Sequence, residues 1–217
     1  MKLLSVLSGG MDSSAALAKM LLTDQVIGAV SFNYGSKHND KEWESARLIA
    51  QHYSVPIIRF DLDFMSQHFK SDLLKTGGEI PEGHYADPSM KKTVVPFRNG
   101  IMLSIAAGYA ESIGAEGIIL GNHFGDRAVY PDCRKEFIEP MQKAIELGTY
   151  AKIKLISPFC DVDKTEIARQ GNDIGVPFNL TWSCYKGGEK HCGKCGTCVE
   201  RIEAFKLANV KDETVYE

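Results

Sequence analysis

The chain has 217 residues, 44% hydrophobic and 24% charged, within the ordinary range of a globular protein and long enough to bury a core without disulfide staples. A net charge of −3 excludes a global excess of Lys and Arg, so a small-molecule ligand is expected in place of stable nucleic-acid binding. No run reaches the ~20 apolar residues of a membrane span, and the apolar stretch at 3–7, broken by Ser5, is too short for a secretion signal, so we expect a cytoplasmic protein.

Short apolar runs alternate with helical patterns along the chain, the signature of βαβ units. The pattern predicts strands at 2–7, 25–33, 56–61, 117–120 and 153–156. Between them it predicts helices at 12–22, 39–53, 100–113, 132–147 and 163–171, the second carrying Trp43, Ala46, Ile49, Ala50 and Tyr53 at helical spacing. The expected fold is α/β, an open parallel five-stranded sheet with helices on both faces over residues 1–177. Residues 71–92, rich in Gly, Pro, His and charge, are too long for an ordinary connector and read either as a substrate lid or as a surface loop. Residues 178–217, a Gly, Lys and Cys cluster followed by a helix near 197–208, read as a small metal-held module packed on the main domain.

Between the first strand and first helix stands Ser8-Gly9-Gly10-Met11-Asp12-Ser13-Ser14. Two glycines let the backbone turn and aim N–H groups at an anion, and the following helix N-terminus adds unpaired donors and partial positive charge. The serine hydroxyls suit phosphate oxygens, and Asp12 suits the Mg²⁺ that accompanies a nucleoside triphosphate. A Walker lysine is missing, and the spacing departs from G-x-G-x-x-G, which excludes a kinase-type loop and a dinucleotide fingerprint.

In an open parallel sheet the ligand crevice lies beyond the carboxyl ends of the strands. Segments expected there are Asn33 with Tyr34 through His38, Arg98 with Asn99, Asn122 with His123, the stretch 126–134, and Lys164 in the first turn of a helix that Asp161 or Asp163 caps, with Asp163 and Glu166 at capping-box spacing. Arg98 and Lys164 are candidates for neutralising charge that builds on phosphates, with Asp12 as the third catalytic candidate.

Cys184, Cys192, Cys195 and Cys198 give C-x7-C-x2-C-x2-C, in which each C-x2-C step places two sulfurs on one ion. A closed set of four thiolates predicts one structural Zn²⁺, since no position is open to water. His191 could replace a sulfur, but the cysteine set is complete without it. Cys160 reads as a small core residue, and Cys133 falls in the expected substrate loop.

SGGMDSS resembles the SGGxDS loop of the PP-loop ATP pyrophosphatases, which split ATP into AMP and pyrophosphate. The resemblance implies an adenine nucleotide alpha-hydrolase-like fold and ATP held by Leu7, Ser8, Gly9, Gly10, Met11, Asp12, Ser13, Ser14, Ala15, Ala16 and Leu17 together with Arg98 and Asn99. FNYGSKH at 32–38, VPFRN at 95–99, YPDCRKEF at 130–137, K-x-E-I at 164–167 and TWSCYKGGEKHCGKCGTCVER at 181–201 are, in this order, similar to the 7-cyano-7-deazaguanine synthase family. That resemblance implies conversion of 7-carboxy-7-deazaguanine and ammonia to a nitrile by two adenylations, and a homodimer. It suggests Asp132 or Asp126 for the base N–H groups and Arg134 or Arg127 for the substrate carboxylate, with Tyr34 and His38 also on the substrate side. The segment 122–129 departs from the family's form, where an Asp-Tyr-Ser run precedes YPDCR.

Overall fold

A computed structural model describes all 217 residues. The strands are β1 (Lys2–Val6), β2 (Gln25–Asn33), β3 (Ile57–Asp61), β4 (Gly117–Ile119) and β5 (Lys154–Ile156). The helices are α1 (Met11–Leu21), α2 (Asn39–His52), α3 (Asp63–His68), α4 (Arg98–Ser112), α5 (Lys135–Gly148), α6 (Lys164–Asp173) and α7 (Gly196–Leu207). One five-stranded sheet has the order β3-β2-β1-β4-β5, every pair parallel. The predicted strands therefore all form, each within two residues of its expected ends.

Alternation within the strands builds two cores. Leu3, Ala29 and Ile119 face α1, α2 and α6, whereas their neighbours Leu4, Val30 and Ile118 face α4 and α5. A period of two on a sheet covered on both faces calls for apolar residues on both sides, which is why the strands read as largely apolar runs, with Ser5 and Ser31 the buried polar exceptions of β1 and β2. No helix is long and apolar enough to cross a membrane.

Three differences from the expected elements have local causes. α4 begins at Arg98 because Phe97 takes a left-handed backbone, φ 54°, that starts the helix sharply. α5 begins at Lys135 because Pro131–Cys133 forms a separate 3₁₀ turn and Arg134 is extended. α3 has six residues, too few to print a helical period in the sequence.

The stretch 71–92 is strapped down along its length. Lys37 Nζ donates to the carbonyls of Asp72, Leu74 and Gly78 at 2.7, 2.7 and 2.9 Å. Further on, Gly83 N donates to Lys194 O at 3.0 Å and Glu82 pairs with Lys186 at 2.6 Å, so the segment rests on the cysteine-bearing part of the chain. That part has no separate core: its four cysteines join one main cluster, and Phe178 and Phe205 join the other.

Candidate active site

The connection from β3 to β4 carries the chain across β1, so β1 and β4 lie side by side where the strand order reverses. The glycine loop leaves β1 at this point, and Gly121 follows β4. A Cβ on Gly121 would lie 2.6 Å from Ser13 Cα and 2.7 Å from Ser13 N, so only glycine lets the two loops touch. Gly9 has φ +84°, and a Cβ there would meet Ala46 N and Glu42 O at 2.5 Å. This close approach seats α2 on the loop. Within the loop Ser8 Oγ and Ser13 Oγ are 3.1 Å apart, and Trp182 N donates to Gly9 O at 2.9 Å.

A cavity of about 200 Å³ opens at the same place. Of the residues expected from the sequence, Leu7, Ser8, Gly10, Met11, Asp12, Ser13, Tyr34, His38, Arg98, Asn99, Asn122, Asp126, Cys133 and Lys164 line it. Gly9 lies behind the loop under α2, and Ser14, Ala15, Ala16 and Leu17 are 0% exposed on the core side of α1 and outside the lining. Asp132 and Arg134 also stand outside the lining. The Asp132 carboxylate accepts the Asn99 N–H at 2.8 Å and satisfies a free donor at the start of α4. Arg134 is exposed and donates to Arg127 O at 3.0 Å. Arg127 itself donates to Asp161 at 3.0 Å. The expected Asp163 cap is present, its carboxylate accepting the Glu166 N–H at 2.9 Å.

Opposite charges meet at one end of the cavity. Lys164 Nζ lies 2.6 Å from Glu200 Oε2 and 3.2 Å from Asp12 Oδ2. Burial would pull the Lys164 pKa down, but Asp12, Glu200 and Asp126 outweigh it and hold the ammonium charged above its ordinary value. Burial pushes the Glu200 carboxyl up against the lysine's pull. His123, 0% exposed, points Nε2 at Asp126 at 3.3 Å, and Asp126 Oδ1 accepts from Tyr85 Oη at 2.9 Å. Asp12 Oδ1 is buried with no partner, an acceptor free for a cation, so the loop fits the Mg²⁺ that travels with ATP.

At the other end Arg98 stands among tyrosines. Its Nη1 donates to Tyr34 Oη at 3.2 Å, and its guanidinium lies 5.5 and 5.7 Å from the Tyr34 and Tyr130 ring centres. No carboxylate lies within ion-pair distance of it; burial opposes its charge, yet its pKa stands well above the ordinary value, with Asp132 the nearby carboxylate that supports the cation. Burial pushes the Tyr34 hydroxyl up to about 12 and those of Tyr85 and Tyr185 well above their usual range, so these phenols stay neutral. A charged arginine without an anionic partner, walled by neutral aromatic rings, is a site for an anion attached to a flat group.

Sequence reasoning gave no role to Glu42, Tyr85, Tyr185, Trp182 and Glu200. It searched the loops that follow strands, whereas Tyr85 comes from the strapped segment and Tyr185 and Glu200 come from the cysteine-bearing part. The nearest signal was the Tyr beside Cys184 and the Glu two residues after Cys198.

The Sγ atoms of Cys184, Cys192, Cys195 and Cys198 lie within 4.8 Å of one another, all buried and none in a disulfide. A tetrahedron with ~2.3 Å metal–sulfur bonds has edges of about 3.8 Å, so the set fits zinc. Backbone N–H groups of Cys192 and Cys195 point at the sulfurs of Cys184 and Cys192 at 3.4 and 3.3 Å, which favours thiolate charge. Hydrogen bonds from Cys184 and Cys198 hold the Cys195 thiol far below its usual range and push those two up. A cation removes that competition. His191 is not part of the set: its Nε2 accepts the Ser183 N–H at 3.0 Å.

An all-parallel sheet in this order, with SGGMDSS at the reversal and a cavity around it, defines a PP-loop ATP pyrophosphatase fold. The NMN synthetase structure from Francisella tularensis is similar over 98% of this chain and 79% of its own, with TM-score 0.50 at 12% identity. The chain belongs to the family described as queuosine biosynthesis protein QueC, whose model matches residues 2–209. The 7-cyano-7-deazaguanine synthase of Porphyromonas gingivalis is 52% identical over 214 residues, covering 99% of this chain and 96% of that protein. The synthase of the same name from Caldicellulosiruptor bescii is 48% identical over 217 residues, covering 100% of this chain and 98% of its own.

Proposed function

We propose that this protein is an ATP-dependent ligase that converts 7-carboxy-7-deazaguanine and ammonia to 7-cyano-7-deazaguanine in queuosine biosynthesis. The observation that carries the reading is Arg98, a charged anion partner with no carboxylate of its own, in one cavity with the glycine loop. The triphosphate takes the loop N–H groups and the N-terminus of α1, with Ser8 and Ser13 on its oxygens. Asp12 holds Mg²⁺ with the nucleotide, which supplies charge neutralisation there. Lys164, kept charged by Asp12 and Glu200, offsets charge building on the phosphates.

The flat base lies against Tyr85, Tyr130 and Tyr185, and its carboxylate faces Arg98. Of the two carboxylates expected for the base N–H groups, Asp126 lines the cavity beside Tyr85 and Asp132 does not. The carboxylate oxygen attacks the α-phosphorus and pyrophosphate leaves. Ammonia then displaces AMP from the acyl-adenylate to give the amide. In a second round the amide oxygen is adenylated, and AMP departs as the C≡N bond forms. Zinc on the four cysteines orders the segment that brings Trp182, Tyr185 and Glu200 to the cavity. We further read the protein as a cytoplasmic homodimer acting on small molecules without stable nucleic-acid binding.

Purified protein with Mg-ATP, ammonium and 7-carboxy-7-deazaguanine tests the reading by mass spectrometry of the base. Nitrile accumulating with AMP supports it, and the absence of base-dependent ATP consumption contradicts it.

A further inference from the structure

We propose that His38 and Glu42 form the site where ammonium is bound and deprotonated, a role that rests on the ligase reading above. His38 is 2% exposed, yet neither ring nitrogen has a hydrogen-bond partner. Buried polar groups in folded proteins are nearly always hydrogen-bonded, so two unpartnered ring nitrogens in a cavity wall point to a ligand. Its Nε2 lies 3.4 Å from Glu42 Oε1, one turn further along α2, and its ring stacks on Tyr185 with centres 5.1 Å apart. Glu42 has no other cationic partner within ion-pair distance.

All three residues line the cavity, together with Trp182. A small cation with several N–H donors matches this corner: the carboxylate attracts its charge and the imidazole can accept its proton. The corner also adjoins the reacting atoms. The Glu42 backbone packs against Gly9, and Trp182 N donates to Gly9 O at 2.9 Å, so it borders the loop that holds the phosphates.

The step balances as follows. Ammonium gives one proton to neutral His38, and the freed nitrogen lone pair forms a C–N bond to the acyl carbon. The C–O bond to the phosphate breaks, its electron pair leaving on AMP. The extra proton left on nitrogen is lost to water as the primary amide forms, and the Glu42 carboxylate acts earlier, holding the ammonium by its charge beside His38. His38 and Glu42 therefore serve the nucleophile and leave adenylation to the other groups.

The test compares wild type with His38→Gln and Glu42→Gln, using ammonium or hydroxylamine to capture the acyl-adenylate. Hydroxylamine is already neutral near pH 7 and needs no base to free its lone pair. We expect kcat/KM for ammonium to fall about a hundredfold in each variant, the usual scale of a general base. Hydroxamate formation, and the KM for ATP, should stay within about twofold of wild type, since the adenylation groups are unaltered. Equal losses with both nucleophiles, or no loss with either, would overturn the assignment. Should wild type consume no ATP with the base under either nucleophile, the ligase reading itself fails, and this site with it. Glu42 is part-exposed and its replacement is isosteric, so a folded variant is available even if His38→Gln is unstable.

Discussion

Lys164 at the first turn of α6 and Glu200 on α7 meet at 2.6 Å, two residues along the chain from Cys198 of the four-cysteine cluster. The contact joins the cysteine-held segment to the phosphate end of the cavity. Two consequences separate its roles. Lys164→Met removes the cation and should lower kcat about a hundredfold or more, the scale seen when one transition-state donor is lost. Glu200→Gln leaves the cation but frees it to move, so it should lower kcat by about tenfold at most. Steady-state kinetics of both variants decide whether the lysine charge or its placement dominates.

Zinc removal should act through the same contact. A chelator, or Cys198→Ser, should cost several kcal/mol of stability because metal binding and local folding are one process. For a chain of this length that is a fall in Tm of about 10 °C. Calorimetry with parallel zinc analysis checks it, with one zinc per chain expected in the parent. An unchanged Tm in the metal-free protein would show that the cysteines hold no structural ion.

The loop contact at Gly121 makes a steric prediction. Gly121→Ala places a Cβ against the backbone of Ser13, which cannot yield as a flexible side chain would. The phosphate loop must shift, and a displacement near 1 Å costs about a hundredfold in efficiency. The loss should appear in kcat/KM for ATP. Gly148→Ala, where nothing lies within 4 Å, is the matched control and should be silent.

Stability at low pH should report the Arg201 clamp. Arg201 is 0% exposed and donates to both Asp212 oxygens at 3.1 Å, to Thr181 Oγ1 at 2.7 Å and to Phe178 O at 3.0 Å. Desolvation alone would raise the Asp212 carboxyl, but the arginine wins and holds it below the usual carboxylate value. The folded state thus takes up this proton less readily than the unfolded chain. Its stabilisation is full above the unfolded pKa of ~3.9 and is lost as pH falls through the lower folded value. Asp212→Asn should cost about 3 kcal/mol at pH 7, since it strands a buried charge. In urea melts the gap between parent and variant should narrow below about pH 4.

The sheet was legible because strands covered on both faces print mostly apolar runs, and Leu3 and Leu4 are both needed, one for each face. The glycine loop and the cysteine set were legible because their spacing is itself the chemistry. What the sequence hid were side chains whose placement depends on long-range contacts. Tyr85 reaches the cavity only because Gly83 and Glu82 are tied to Lys194 and Lys186. Asp132 looked like a substrate ligand, yet the start of α4 claims its carboxylate. No local pattern distinguishes a carboxylate that caps a helix from one that meets a ligand.

The most direct test of the adenylation account follows oxygen. With both carboxylate oxygens of 7-carboxy-7-deazaguanine labelled as ¹⁸O, each activation transfers one label to phosphorus when AMP leaves. We expect unlabelled pyrophosphate, a nitrile, and labelled AMP from both rounds. Label in orthophosphate or pyrophosphate, with ADP or unlabelled AMP as the nucleotide product, would contradict attack of the carboxylate at the α-phosphorus.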